Sequence, residues 1–141
     1  MTSINKDIPG FHRGLENMPG EFDYSPHDIE GDIPEDINGT FYRNGPGKLT
    51  LGSGKMGHWF DGDGMVCAFH FEKGKLHFRN RFVRTPKFIA ESLSNRIEFR
   101  GFGTQRKGGL KANFLRIPAN PANTSIALHG GKLLALYEGG R

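Results

Sequence analysis

The sequence predicts an all-β chain, and three observations carry that prediction. Glycine occurs 21 times in 141 residues, about twice its usual share, so the backbone turns sharply and often. Twelve phenylalanines accompany a single tryptophan, a bias that suits aromatic-lined strands. Two stretches alternate apolar and polar residues on either side of a glycine turn, the pattern of half-buried hairpins. The length fits one domain with a core of its own.

Taken in order, residues 1–30 read as an irregular arm that wraps a surface, because Pro9, Pro19, Pro26 and several glycines break every periodicity. Thr40–Arg43 is a short strand candidate, and Asn44-Gly45-Pro46-Gly47 is expected to turn. "HWFDGDGMV", residues 58–66, reads as a turn that enters a strand at Met65. Met65, Cys67, Phe69 and Phe71 then share one face. After the turn "EKGK", Leu76, Phe78 and Phe82 share the apolar face, and His77, Arg79 and Arg81 the wet one. A second hairpin, "SIALHGGKLLALYE", turns at Gly130-Gly131. Between the hairpins, Leu110, Phe114 and Ile117 fall at i, i+4 and i+7, which allows a short amphipathic helix that Pro118 would stop. Hairpins joined by long loops suit a sheet repeated around an axis. A propeller blade takes about 40–45 residues, so this length gives about three blades, too few to close a ring. The chain is therefore expected to be a portion of a longer protein.

Composition narrows the function classes. Cys67 is the only cysteine, sits in an apolar run and reads as a buried, inert thiol. Residues 1–24 hold no stretch long enough for a secretory signal and carry Asp7, Glu16, Glu21 and Asp23, unlike an acid-poor transit peptide. No run approaches a spanning helix, and a cytoplasmic location is expected. Charge is segregated. Residues 1–40 carry nine acids against two bases, and the stretch Arg96–Arg116 carries six bases against one acid. That basic stretch could meet anionic lipid, nucleic acid or only water.

Candidate chemistry is sparse. Asp61 and Asp63 do not make an EF-hand loop, since Met65 occupies the fifth position, where an oxygen ligand is needed. His70 should stand opposite His77 across the first hairpin, near enough for two imidazoles to share a metal, but no third ligand is near in sequence. Ser92, Ser94 and Ser125 lie in no nucleophile elbow, and "GPGKLTLGSGK" lacks the ending of a phosphate loop. Glu138 follows the apolar strand Leu133–Tyr137. It is either exposed on a loop or an acceptor for a group elsewhere.

Four strings in sequence, "GDIPEDINGTFYRNGPG", "HWFDGDGMV", "NRFVRT" and "NTSIALHGGKLLALYEGG", resemble the amino-terminal part of the carotenoid cleavage oxygenases, above all the apocarotenoid-cleaving cyanobacterial members. The resemblance runs from about Tyr24 to the last residue. It leaves residues 1–23 as the arm and makes 24–141 an incomplete, amino-terminal portion of a seven-bladed β-propeller with a short helix or loop. It implies a parent enzyme that uses O₂ to cleave a conjugated C=C bond of an apolar polyene at one non-haem Fe(II) held by four histidines. Stilbene-cleaving and retinoid-isomerising relatives are the alternatives within the fold. A β-rich module binding lipid or nucleic acid through residues 96–116 is the alternative outside it.

Carried over residue by residue, Glu138 matches a glutamate that accepts a hydrogen bond from an iron-bound histidine. Thr124 matches the residue whose methyl shields an open iron position. Gly101–Ile117 matches a patch that dips into membrane, with Phe102, Leu110, Phe114 and Leu115 entering the interface and Arg106, Lys107, Lys111 and Arg116 meeting phosphates. None of the six histidines falls where the family's ligands fall, so those are expected beyond Arg141. The chain by itself is expected to bind no iron and to be inactive. The expected partners are the polyene, O₂ and a membrane surface met peripherally, with no nucleic acid.

Overall fold

Eight strands and two helices succeed one another in the computed structural model, which describes residues 12–139. They are β1 (Asp23–Tyr24), β2 (Gly39–Lys48), β3 (Thr50–Leu51), β4 (Gly54–Lys55), β5 (Asp63–Glu72), β6 (Lys75–Phe82), α1 (Pro86–Ser94), α2 (Gly109–Asn113), β7 (Ser125–His129) and β8 (Lys132–Leu136). The main sheet is four-stranded and antiparallel, in the order β1-β6-β5-β2. Two further pairs, β3-β4 and β7-β8, stand as two-stranded sheets.

The β5-β6 hairpin follows from its sequence. Lys73 and Gly74 have φ of 48° and 70°, the two positive values of the tight turn whose twist matches flanking strands. That turn sets the register, so Phe71 faces Leu76 and His70 faces His77, as the symmetric turn predicts. Phe69 and Phe78 pack with ring centroids 5.1 Å apart on the covered face. His77, Arg79 and Arg81 are exposed on the other. Cys67 is half-buried rather than fully buried. Burial still pushes its thiol pKa up, away from the reactive thiolate.

Asn44-Gly45-Pro46-Gly47 does not turn, contrary to the sequence expectation. It is the second half of β2, with Gly45 opposite Met65 and Pro46 opposite Gly64, and a bulge follows between Pro46 and Lys48. Proline is tolerated because β2 is an edge strand. Gly47 serves close approach and not a left-handed bend. A Cβ there would lie 2.7 Å from the Cβ of Met65.

The acidic leading segment meets the basic strand β6. Glu21 accepts from the Phe82 N–H at 2.7 Å and from both terminal nitrogens of Arg84 at 2.7 and 3.0 Å. Asp23 pairs with His77 at 2.6 Å and with Arg79 at 2.6 Å. Between them, buried Asn80 exchanges bonds with both backbone groups of Phe22. Asn17 caps the other side, its Oδ1 accepting from the N–H groups of Leu49 and Thr50. The charge segregation of the sequence thus becomes a clamp over β6. Residues 1–11 of the expected arm lie outside the described residues.

The chain is mostly β-strand, but α1 departs from an all-β reading. Thr85 caps it by accepting from the Phe88 N–H, Pro86 occupies its first turn, and Asn95 ends it in the left-handed region. The apolar core is small: Leu49, Leu51, Met56, Met65 and Ala122. More polar side chains than apolar ones are buried among the described residues, including Asp61, Asp63, Asn80, Lys87 and Glu91.

Candidate functional site

The DGDG segment is an anchor for loops. A 3₁₀ turn, Trp59–Asp61, leads into β5 at Asp63, two residues before the expected strand start. The buried Asp61 carboxylate accepts from the N–H groups of Phe102 and Gly103 and from the Thr104 hydroxyl at 2.7 Å. Gly101 must lack a side chain, because a Cβ there would lie 2.3 Å from that carboxylate. Phe102 is thereby set beside Phe60 and His58, with centroids 6.4 and 5.3 Å away. Gly64 serves the same end on the other side. Its N–H donates to Pro121 O at 2.8 Å, and a Cβ would lie 2.1 Å from Ala122 O.

Residues 121–124 are held against this anchor. The Asn123 amide donates to Phe60 O at 2.9 Å and to Gly62 O at 2.7 Å. The Thr124 hydroxyl donates to Asn123 Oδ1, and its N–H to Leu136 O. Gly130 and Gly131, with φ of 56° and 72°, return the chain through β8 to Glu138, at the turn the sequence predicts. The structure thus brings Thr124 and Glu138 to one concavity of about 360 Å³, lined also by Phe60, Phe102, Tyr137 and Gly139. Burial, then the Asp61 charge, raises the Tyr137 phenol pKa above its ordinary value, so that hydroxyl stays protonated. Glu138 is exposed on a loop and takes part in none of the ion pairs among the described residues.

The segment 101–117 displays its large apolar groups. Phe102, Leu110, Phe114, Leu115 and Ile117 are between 64% and 85% exposed, and Arg106, Lys107, Lys111 and Arg116 lie among them in the chain. The predicted helix is shorter than its pattern. It stops at Asn113, because Phe114 is extended and Leu115 has a φ of 54°. Buried Asn113 folds the loop instead. Its side chain bonds both backbone groups of Arg106 and the Gly109 carbonyl.

Sequence reasoning missed a buried charge cluster behind the site. Lys87 Nζ lies 2.8 Å from Asp63 Oδ1 and 2.8 Å from Glu91 Oε2. Glu91 Oε1 accepts from the N–H groups of Glu98 and Phe99. Burial raises the Asp63 carboxyl pKa even against the lowering by Lys87. The available signal was Lys87 and Glu91 at i and i+4 inside a capped helix. His70 and His77 face each other, but their rings turn to different partners, Thr40 for one and Asp23 with Ser25 for the other. No three histidine, cysteine or acidic side chains converge among the described residues.

A family model described as retinal pigment epithelial membrane protein matches residues 15–141. The chain belongs to that family. Among relatives of this retinal pigment epithelial membrane protein family, the apocarotenoid-15,15'-oxygenase of Synechocystis is 48% identical over 92% of the chain and 27% of its own length. The isoeugenol monooxygenase of Pseudomonas nitroreducens is 38% identical over 99% of the chain and 29% of its own. Resveratrol cleavage oxygenase 1 of Aspergillus fumigatus is 36% identical over 94% and 26%. The chain therefore spans less than a third of each of these family members. A crystal structure of cobalt-substituted Synechocystis apocarotenoid oxygenase matches with a TM-score of 0.85, at 47% identity, over 92% of the chain and 28% of that structure. The mostly β-strand architecture is thus shared with a solved member of the family.

Proposed function

We propose that this chain is the amino-terminal portion of a dioxygenase that cleaves a conjugated C=C bond of an apocarotenoid with O₂, yielding two carbonyl products. The observation that carries the proposal is the convergence of Thr124 and Glu138 on one aromatic-walled concavity. Solved structures of the Synechocystis enzyme include variants of a threonine and a glutamate separated by the same interval as Thr124 and Glu138, and of the tryptophan just before that glutamate, where Tyr137 stands here. The cobalt-substituted form of that enzyme supports a metal centre.

In this reading the full-length protein holds Fe(II) on histidines that residues 12–139 do not assemble. The iron supplies the site where O₂ reacts. Glu138 accepts a hydrogen bond from a ligand histidine, which fixes the tautomer and orients the ring. The hydroxyl of Thr124 is committed to Asn123, and its methyl would narrow access to the bound metal. Phe60, Phe102 and Tyr137 offer an apolar wall to a polyene. The chain alone carries no activity. The exposed apolar residues of 101–117 rest on a membrane surface, from which a water-insoluble substrate is taken up.

Incubating the full-length protein with an apocarotenal, an isoeugenol-type phenylpropene and resveratrol tests the reading. Faster cleavage of the apocarotenal, with ¹⁸O from O₂ in the products, is expected. Preferred cleavage of resveratrol would assign the stilbene-cleaving alternative. No oxygen-dependent product from any of the three would refute the proposal.

A further inference from the structure

Thr124 follows three buried residues, Pro121, Ala122 and Asn123, and is itself exposed. Side-chain packing among the described residues therefore does not fix it. Its place is set by what holds the backbone on either side. Ala122 has a φ of 52°, in the left-handed region that a Cβ disfavours. Such a conformation persists only where the surroundings over-determine it. The Ala122 N–H donates to Asn120 Oδ1 at 2.8 Å. Its carbonyl accepts at 2.9 Å from the side-chain amide of Asn44, 78 positions earlier on β2.

Asn44 makes a second bond of the same kind. Its Nδ2 also donates to Ser125 O at 3.1 Å. A side-chain amide nitrogen carries two hydrogens, and both are directed at carbonyls that bracket Asn123 and Thr124. Facing two carbonyls, the amide must present its nitrogen. Its Oδ1 is buried with no hydrogen-bond partner among the described residues. Buried acceptors are seldom left so, and here the side chain serves through its two donors alone. Asn44 is itself fixed, opposite Val66 in the β2-β5 ladder. The Asn123 amide, anchored on the Phe60 and Gly62 carbonyls, then receives the Thr124 hydroxyl. The main sheet, Asn44, the backbone of 122–125 and Thr124 thus form one continuous set of contacts.

We infer that Asn44 is a positioning residue for the Thr124–Glu138 concavity: by clamping the Ala122 and Ser125 carbonyls it fixes the backbone that aims Thr124. The inference deepens the proposed role of Thr124 and rests on it. Asn44 does not line that concavity, so it acts through the backbone of 122–125 and not by contact. Loss of its amide takes the donor from both carbonyls and lets Ala122 relax toward negative φ. That change turns the peptide planes ahead of Thr124 and shifts its side chain within the concavity.

The test uses the full-length protein with Asn44→Ala, Thr124→Ala and the two combined. Asn17→Ala is the control, since it removes bonds from an asparagine to backbone elsewhere. Asn44→Ala is expected to lower kcat on an apocarotenal by about tenfold and to change KM by less than about twofold, the pattern of a misplaced group. Thr124→Ala should slow turnover as well. Adding Asn44→Ala to it should cost less than about twofold more, because residues that act through one another are not additive. Hydrogen exchange read by mass spectrometry should quicken in residues 121–126 of Asn44→Ala and keep the wild-type rate in residues 63–82. Asn17→Ala should keep the wild-type kcat. Asn44→Ser, which retains one donor, is read in the same way should Asn44→Ala not fold; failure of both to fold would make Asn44 structural and overturn the inference. Wild-type kcat in Asn44→Ala would also overturn it, as would the same loss repeated in the Thr124→Ala background. So would an equal rise of exchange in residues 63–82, or an equal loss of kcat in Asn17→Ala. Wild-type turnover in Thr124→Ala would overturn the role given to Thr124, and the inference with it.

Discussion

The two hairpins share one local design and have opposite surroundings. Each turns through two residues of positive φ, Lys73-Gly74 and Gly130-Gly131. The β5-β6 pair lies inside a four-stranded sheet, with β2 on one side and the acidic clamp on the other. The β7-β8 pair is two-stranded, and its Leu128, Leu133, Leu134 and Leu136 are between 39% and 74% exposed. Turn chemistry therefore sets strand pairing, while cover is set by segments distant in sequence. The hairpin with cover holds the fold. The more exposed hairpin carries Thr124 and Glu138, which line the candidate concavity, at its ends.

The largest expected effect comes from breaking the junction between the hairpins. Gly64→Val places side-chain carbon against the Ala122 carbonyl, 2.1 Å from an ideal Cβ. Neither backbone segment gives way cheaply, so the variant should fail to fold, read as loss of a cooperative transition in thermal circular dichroism. Next is Lys87→Met, which leaves Asp63 and Glu91 buried without their cation. It should cost about 3–5 kcal/mol in urea unfolding, the range for breaking a buried pair. Asn80→Ala removes the side-chain bonds to the Phe22 N–H and the Gly20 carbonyl and keeps the backbone bond to Phe22 O. A loss of about 1–3 kcal/mol is expected from the stranded partners.

Gly74→Ala and Gly131→Ala sharpen the contrast further. Both glycines have φ near 70°, where a Cβ costs about 1–2 kcal/mol. Amide exchange should stay slow in β5-β6 after the first change, because neighbours hold the strands. It should become fast throughout β7-β8 after the second.

The smallest effect is on pH dependence. The Arg84 hydrogen bonds hold the Glu21 carboxyl below its ordinary 4.5, and bonds from His77 and Arg79 hold Asp23 below 3.8. Their stabilisation is full above those values and is lost as pH falls through the folded ones. Asp63 has the opposite sign. Its raised pKa costs stability as pH rises from 3.8 to the folded value. Glu21→Gln should therefore flatten the acid limb of the stability profile, and Asp63→Asn should steepen it.

Much of the fold was legible because it was local. Both hairpin turns, the facing of His70 with His77 and the alternating faces of residues 65–82 follow from period two and turn residues. Three features were not legible. The Asn44–Gly47 run reads as a turn by composition, yet Gly47 is there because Met65 crowds it. Helix α1 was signalled only by its caps, Thr85 and Asn95. Asp61 and Asp63 looked like turn residues, and their burial depends on Phe102–Thr104 and Lys87, distant in sequence. Thr124 and Glu138 were named through a family resemblance, since nothing in their local pattern marks them. Their convergence is tertiary, set by Asn123 and the β7-β8 turn.

Iron content and turnover of Glu138→Gln in the full-length protein test the proposed role of this site most directly. The account predicts that the purified variant retains less iron per chain than the wild type and cleaves apocarotenal more slowly. Wild-type iron and wild-type turnover in that variant would contradict it.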